Sequence, residues 1–176
     1  MTRAIPTSST RRSIAAIAAV LAVPALAGTV ALAQSKGPMD EVTITVNRYK
    51  TLDKIDVGGG APDIFARVTI GGTVQKSPVA KQQVAGKPDW KITQSVPRGK
   101  TNVKVELLDK DILNPSDAID INYVDKKRDL DFVVDTKRCS VEGLTGISGC
   151  GQKISRTGRE NKKSEIDFRV SVKKGK

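Results

Sequence analysis

Five aspartates stand where they could hold a hard cation. Asp56 and Asp63 flank the glycine-rich loop of residues 52–68, LDKIDVGGGAPDIFARV, which runs straight into an alternating apolar stretch. Asp109, Asp111 and Asp117 belong to a second acidic stretch, residues 107–120, LLDKDILNPSDAID. Gathering carboxylates costs a few kcal/mol per close pair at an intermediate dielectric. A divalent ion offsets that cost, and Ca²⁺ accepts about 6–8 oxygens in loose geometry, whereas Mg²⁺ demands a tight octahedron and keeps its waters. Calcium sites of extracellular modules work at about 10⁻⁴ to 10⁻³ M. The competing role for aspartates in such loops is turn formation, each side chain accepting from its own backbone. For Asp53, Asp89 and Asp120, turn formation is the expected role.

Other chemistries are narrowed by composition. The chain has no histidine, which removes histidine general bases and histidine metal sites, and its two cysteines are too few for a four-cysteine zinc site. An enzyme built here would need a carboxylate pair, such as Asp56 with Asp111 in the manner of glycoside hydrolysis, or a Ser-Lys arrangement. With six aromatics in 176 residues there is little surface on which to stack a sugar, so a hydrolase is the remote alternative. The expectation is a protein that is not an enzyme.

The elements that must position these aspartates are strands. Val42, Ile44 and Val46 alternate with polar residues; Ile64 to Ile70 does the same and ends at Gly71-Gly72. Residues 74–84 are polar and hold a short edge strand at most, with Pro78 against a central place. Trp90 to Val96 is the next strand, with Trp90 in the phase of the core. Val103, Val105 and Leu107 give the clearest alternation, followed by Leu130, Phe132 and Val134, and finally by Ile166, Phe168, Val170 and Val172. No stretch after residue 34 carries a long helical period. Some seven short strands with Gly/Pro turns predict an all-β fold, an antiparallel β-sandwich. Cys139 and Cys150 flank a turn-rich segment, and in an exported protein they are expected to pair, pinning a long excursion before the last strand.

The N-terminus reads as an export signal. Arg3, Arg11 and Arg12 precede an apolar, alanine-rich run over residues 14–30, and Ala31-Leu32-Ala33 fits a small-x-small cleavage rule before Gln34. The Arg11-Arg12 pair also fits a twin-arginine signal as well as the general secretory route. The expected organisation is therefore residues 1–33 as signal peptide, 34–40 as linker and 41–176 as one domain, placed outside a bacterial-type cytoplasm as a secreted, periplasmic or cell-surface protein.

The chain is basic, with 30 Lys+Arg against 19 Asp+Glu and a formal charge of +11. Residues 151–176 hold nine Lys or Arg against three acids, so Lys153, Arg156, Arg159, Lys162 and Lys163 form a candidate polyanion-binding stretch. Anionic lipid or an acidic cell-surface polymer would suit it. Nucleic acid is not expected as a partner, because most of the six aromatics sit in strand-core positions and stacking platforms are scarce.

The order of these motifs resembles the C2 domain, the calcium- and phospholipid-binding sandwich. The first calcium loop of that family reads leucine, Asp, a glycine-containing turn, then Asp-Pro-Tyr and a strand. Leu52, Asp56, Gly58 to Gly60 and Asp63-Ile64-Phe65 follow that pattern, with Ile64 and Phe65 in place of proline and tyrosine. Lys87-Pro88-Asp89-Trp90 stands where the family has Asn-Pro-x-Trp, and Asp109, Asp111 and Asp117 stand for its third loop. The likeness covers residues 42–120. It implies a C2-like Greek key, with Ca²⁺ held by Asp56, Asp63, Asp109, Asp111 and Asp117. After Asp117 the sequence departs from the pattern, with Ala118-Ile119-Asp120-Ile121-Asn122 where an isoleucine-glycine pair opens a strand, and the cysteine segment has no counterpart. The expectation is thus an exported calcium-binding module at an anionic surface. The alternative is a metal-free sandwich that binds a protein or a polyanion through its basic face.

Overall fold

The computed structural model of the chain describes residues 37–55, 60–111, 115–145 and 149–176. The expected signal peptide of residues 1–33 lies outside the described residues. Among those described there are eleven strands and no helix. One sheet contains β1 (Met39–Thr51), β4 (Ala85–Gly86), β5 (Trp90–Pro97), β10 (Lys153–Thr157) and β11 (Ser164–Lys173). Its order is β10-β11-β1, and β5 and β4 follow one another along the free side of β1. The other sheet contains β2 (Ile64–Ile70), β3 (Thr73–Lys76), β6 (Lys100–Asp109), β7 (Asp117–Ile119), β8 (Leu130–Asp135) and β9 (Ser140–Glu142). Its order is β3-β2-β6, with β7 and β8 consecutive along β6 and β9 outside β8. Every named pairing is antiparallel. This is the β-sandwich that the alternation predicts, with Gly71 and Gly72 at positive φ in the β2–β3 turn.

The core follows from side-chain period. Val42, Ile44 and Val46 of β1 face inward and lie opposite Val172, Val170 and Phe168 of β11. From the second sheet Ile64, Ala66, Val68, Val103, Val105, Leu107 and Phe132 meet them, all buried. Burying each large aliphatic or aromatic side chain contributes about 1.5–3 kcal/mol. The β1–β11 register slips between Val46 and Arg48, a bulge at Asn47. The extra residue reverses the phase of β1. Tyr49 becomes the buried residue and stacks on Trp90, with ring centroids 5.7 Å apart. Arg48 turns to Glu165 and Asp167, at 2.8 and 3.0 Å. Asn47 is held by donating to Asp89 Oδ1 at 2.8 Å.

Two devices close the sandwich away from the acidic loops. Asp40 is 1% exposed and accepts from Arg98 Nη2 at 3.0 Å and from the Gly175 N–H at 3.0 Å, joining the start of β1, the β5–β6 turn and the C-terminus. The second device is the Cys139–Cys150 disulfide, which forms as the sequence predicts and links the end of the β8–β9 turn to the start of the final hairpin.

Both devices can be tested by removal. Replacing both cysteines by serine frees an 11-residue loop. The expected loss is about 2–3 kcal/mol, or roughly 5–10 °C in thermal unfolding of a domain this size; an unchanged melting temperature would show that the loop needs no staple. The other device responds to acid. The Arg98 guanidinium, helped by Thr136 and the Gly175 N–H, holds the Asp40 carboxyl below its ordinary value of 3.8. The Arg138 and Lys137 N–H groups do the same for Asp135. Burial pushes Asp167 upward, but Ser155, Arg48 and Lys153 outweigh it and hold it low as well. A depressed folded pKa contributes stability that is complete above the unfolded value and is lost as pH falls through the folded one. The urea midpoint should therefore fall steeply below about pH 4. The gap between wild type and Asp40→Asn should be widest near neutrality and narrow in that acid range.

Candidate functional site

The acidic loops meet at the other end of the second sheet. Ile64 pairs with Asp109 across β2 and β6, and Asp109 pairs with Asp117 across β6 and β7. Asp63, Asp109 and Asp117 therefore come to one end of the second sheet. Asp56 lies outside the described residues, and Asp111 sits half-buried just past the end of β6.

What these carboxylates do there is largely structural. Asp109, 5% exposed, accepts from the Asp63 N–H through Oδ1 at 2.7 Å. Asp63 accepts from the Gln82 N–H through Oδ1 at 2.8 Å, and its carbonyl accepts from the Lys110 N–H at 2.9 Å. These bonds lock the start of β2 to the end of β6. Asp117 Oδ2 is ion-paired with Lys162 Nζ. Among the described residues no group of three or more metal-ligating side chains converges. Among the described residues an ammonium holds Asp117, and backbone N–H groups donate to carboxylate oxygens of Asp63 and Asp109, while Asp56 lies outside them.

The lysine arrives on a strap, the β10–β11 turn of residues 158–163. Asp120, which has no exposed surface, fixes that strap. Its Oδ2 accepts from the Arg159 and Glu160 N–H groups at 2.7 and 2.6 Å, and its Oδ1 accepts from the Asn122 N–H at 2.9 Å. Its backbone N–H donates to the Lys162 carbonyl and its carbonyl accepts from Ser164 N–H, at 2.9 and 2.8 Å. Asp53 grips the other side, accepting from the Lys163 N–H at 3.0 Å. Gly158 passes so close that a Cβ built on it would stand 2.1 Å from the Asp120 carbonyl oxygen. Of the three aspartates expected to form turns, Asp120 accepts from its own loop at the Asn122 N–H, whereas Asp53 and Asp89 accept from the distant Lys163 N–H and Asn47 side chain.

Asp120 also opens a feature that the sequence pattern does not show. β7 and β8 continue one another along β6, with Ile119 opposite Leu107 and Leu130 opposite Val105. Residues 120–129 are a loop inserted into a single strand line. Its base is closed by Ile121 N–H to the Arg128 carbonyl at 3.1 Å and by Arg128 Nη1 to the Ala118 carbonyl at 2.7 Å. At its tip Tyr123 and Val124 are 43% and 40% exposed, beside Lys126 and Lys127. Tyr123-Val124-Asp125-Lys126-Lys127-Arg128, an apolar pair followed by cations, was the available signal.

The basic stretch is distributed rather than massed. Arg159 pairs with Asp125 at 3.2 Å, Lys163 with Asp53 at 3.7 Å, and Lys162 with Asp117. Arg156 donates to the Ser155 and Thr145 carbonyls, each at 2.7 Å. Lys153 stays on the outer face of the first sheet, 3.3 Å from Asp167. There it falls in register with Arg169, Thr45 and Lys91 across β10, β11, β1 and β5. Adjacent strands lie about 4.8 Å apart, so this row sets three cations over roughly 14 Å.

No family model matches the chain, and no curated protein matches it in sequence. Solved structures do match in fold. The first C2 domain of plant extended synaptotagmin 1 superposes with a TM-score of 0.55 at 13% identity, covering 79% of this chain and 98% of that one. The calcium-bound tandem C2 domains of extended synaptotagmin 2 give 0.51 at 16% identity, over 77% and 46%. Human GIVD cytosolic phospholipase A2 gives 0.53 at 12% identity, but the chain spans only 17% of that protein's length. The fold is C2-like.

If Asp120 organises the strap, Asp120→Asn leaves N–H donors without an anion. It should cost about 2–4 kcal/mol in urea unfolding and accelerate amide exchange across residues 157–164 ahead of the sheets. Gly158→Ala should cost about 1–3 kcal/mol by overpacking. Wild-type exchange at the strap in Asp120→Asn would refute the role.

Proposed function

We propose that this is an exported, non-catalytic C2-fold module that docks on an anionic lipid surface through the outer face of its first sheet. The observation that carries the reading is the registered row Lys91–Thr45–Arg169–Lys153. Lys91, Arg169 and Lys153 are exposed, and flat arrays of this kind attract anionic head groups at about 1 kcal/mol per cation near the surface. Residues 1–33 support export. One of the solved structures that share the fold is calcium-bound, and the placement of Asp63, Asp109 and Asp117 at one end of the second sheet favours calcium as a second reading, in competition with Lys162.

The test is sedimentation with vesicles of phosphatidylglycerol in phosphatidylcholine. Binding should require the anionic lipid, weaken as salt rises and survive chelation. The triple variant Lys91→Gln, Lys153→Gln, Arg169→Gln should lose roughly a hundredfold in affinity. Equal binding to neutral vesicles, or an unaffected triple variant, would overturn the reading. Binding that disappears with chelator would favour the calcium reading instead.

A further inference from the structure

We infer that Lys162 is the resident cation of the acidic end, a tethered ammonium standing where a C2-like fold would otherwise place a divalent ion. Three observations carry this. The Lys162 ammonium is ion-paired with Asp117, which lies at the same end of the second sheet as Asp63 and Asp109. The Lys162 side chain is only 23% exposed, whereas the Asp117 side chain is 51% exposed, so the lysine is folded in to reach the acid. And Lys162 has a φ of +64°, a left-handed backbone that a non-glycine residue seldom adopts. Such an outlier persists where its surroundings over-determine it. Here the Lys162 carbonyl accepts from Asp120 N–H and the Lys163 N–H donates to Asp53, so the backbone is pinned on both sides of the residue that is aimed at the acids.

The consequence is that wild-type protein has no use for calcium at this edge, and that removing the ammonium uncovers a demand for it. The inference is independent of whether the first sheet docks on lipid. It is tested with calcium chloride alone, by thermal unfolding and by direct calorimetric titration of the purified protein. Wild type and Lys162→Arg should show no shift up to about 10 mM, well past the range in which extracellular modules bind. Lys162→Met, which keeps the length of the side chain without its charge, should gain a calcium-dependent rise in melting temperature, with a dissociation constant in the range of about 10⁻⁴ to 10⁻³ M. Adding Asp117→Asn should abolish the gain. Lys162→Gln gives the same reading should the methionine variant fold poorly. A wild type stabilised by calcium as strongly as Lys162→Met would overturn the inference, and so would two folded Lys162 variants that ignore calcium.

Discussion

The acidic end depends on the buried carboxylate of Asp120. An ionised group without exposed surface must be met by donors or it unfolds its surroundings. Asp120 is met by three backbone N–H groups, one from its own loop and two from the strap nearly forty residues away. That choice of partner matters, because backbone donors cannot swing away as a lysine can. The strap is thereby fixed to the strand line of β7. Gly158 is the corollary: the strap backbone runs against the Asp120 carbonyl where no side chain fits.

From that anchor the rest of the edge follows. The inserted loop and the strap clasp each other, with the Lys126 N–H donating to Glu160 Oε1 at 2.6 Å and Arg159 paired with Asp125. Asp53 holds the strap from the β1 side. Lys162 is then the residue left facing Asp117. Three segments that are far apart in sequence, the end of β1, the insertion and the last hairpin turn, are joined mainly by carboxylates accepting from backbone. The opposite end uses the same logic with a guanidinium added, at Asp40 and Arg98.

Much of the sandwich was legible because it rests on period. Val103, Val105 and Leu107, or Ile166, Phe168 and Val170, alternate without interruption, and burial of one face leaves a single register. The bulge at Asn47 was not legible, since one extra residue leaves composition unchanged and shows only in cross-strand bonding. The interruption of the β7–β8 line was equally hidden: Ile119 and Leu130 read as parts of separate runs. Among the acids, the strand register brings Asp63, Asp109 and Asp117 to one end of the second sheet, but the sequence does not show which donors satisfy them. Asp120 looked like a local turn former, and it is one toward Asn122, yet its reach to Arg159 and Glu160 is set by tertiary folding. The basic stretch shows the same limit. Counting charges in residues 151–176 gives one strong patch, whereas the acids opposite Arg159, Lys162 and Lys163 decide how much of it faces outward.

An ammonium and a calcium ion are not equivalent solutions to crowded carboxylates. Calcium brings two charges and many coordination positions, so it can serve several acids together. Lysine brings one charge and three donors, and it can neutralise about one carboxylate. A lysine-based edge therefore works only if the remaining acids are stabilised by other means. That is the arrangement found here: Asp109 accepts from Asp63 N–H, Asp63 from Gln82 N–H, Asp120 from three backbone donors, and Asp117 alone of these is assigned to Lys162. Tethering adds a further advantage, since a group held in place by its own chain acts at a high effective concentration that dilution cannot lower. A calcium ion competing for Asp117 would have to displace that group from a strap pinned on both sides, and it would find the neighbouring oxygens partly engaged by backbone. The backbone bonds of Asp63 and Asp109 and the ion pair of Lys162 are thus complementary, each taking up part of the negative charge gathered at the acidic end.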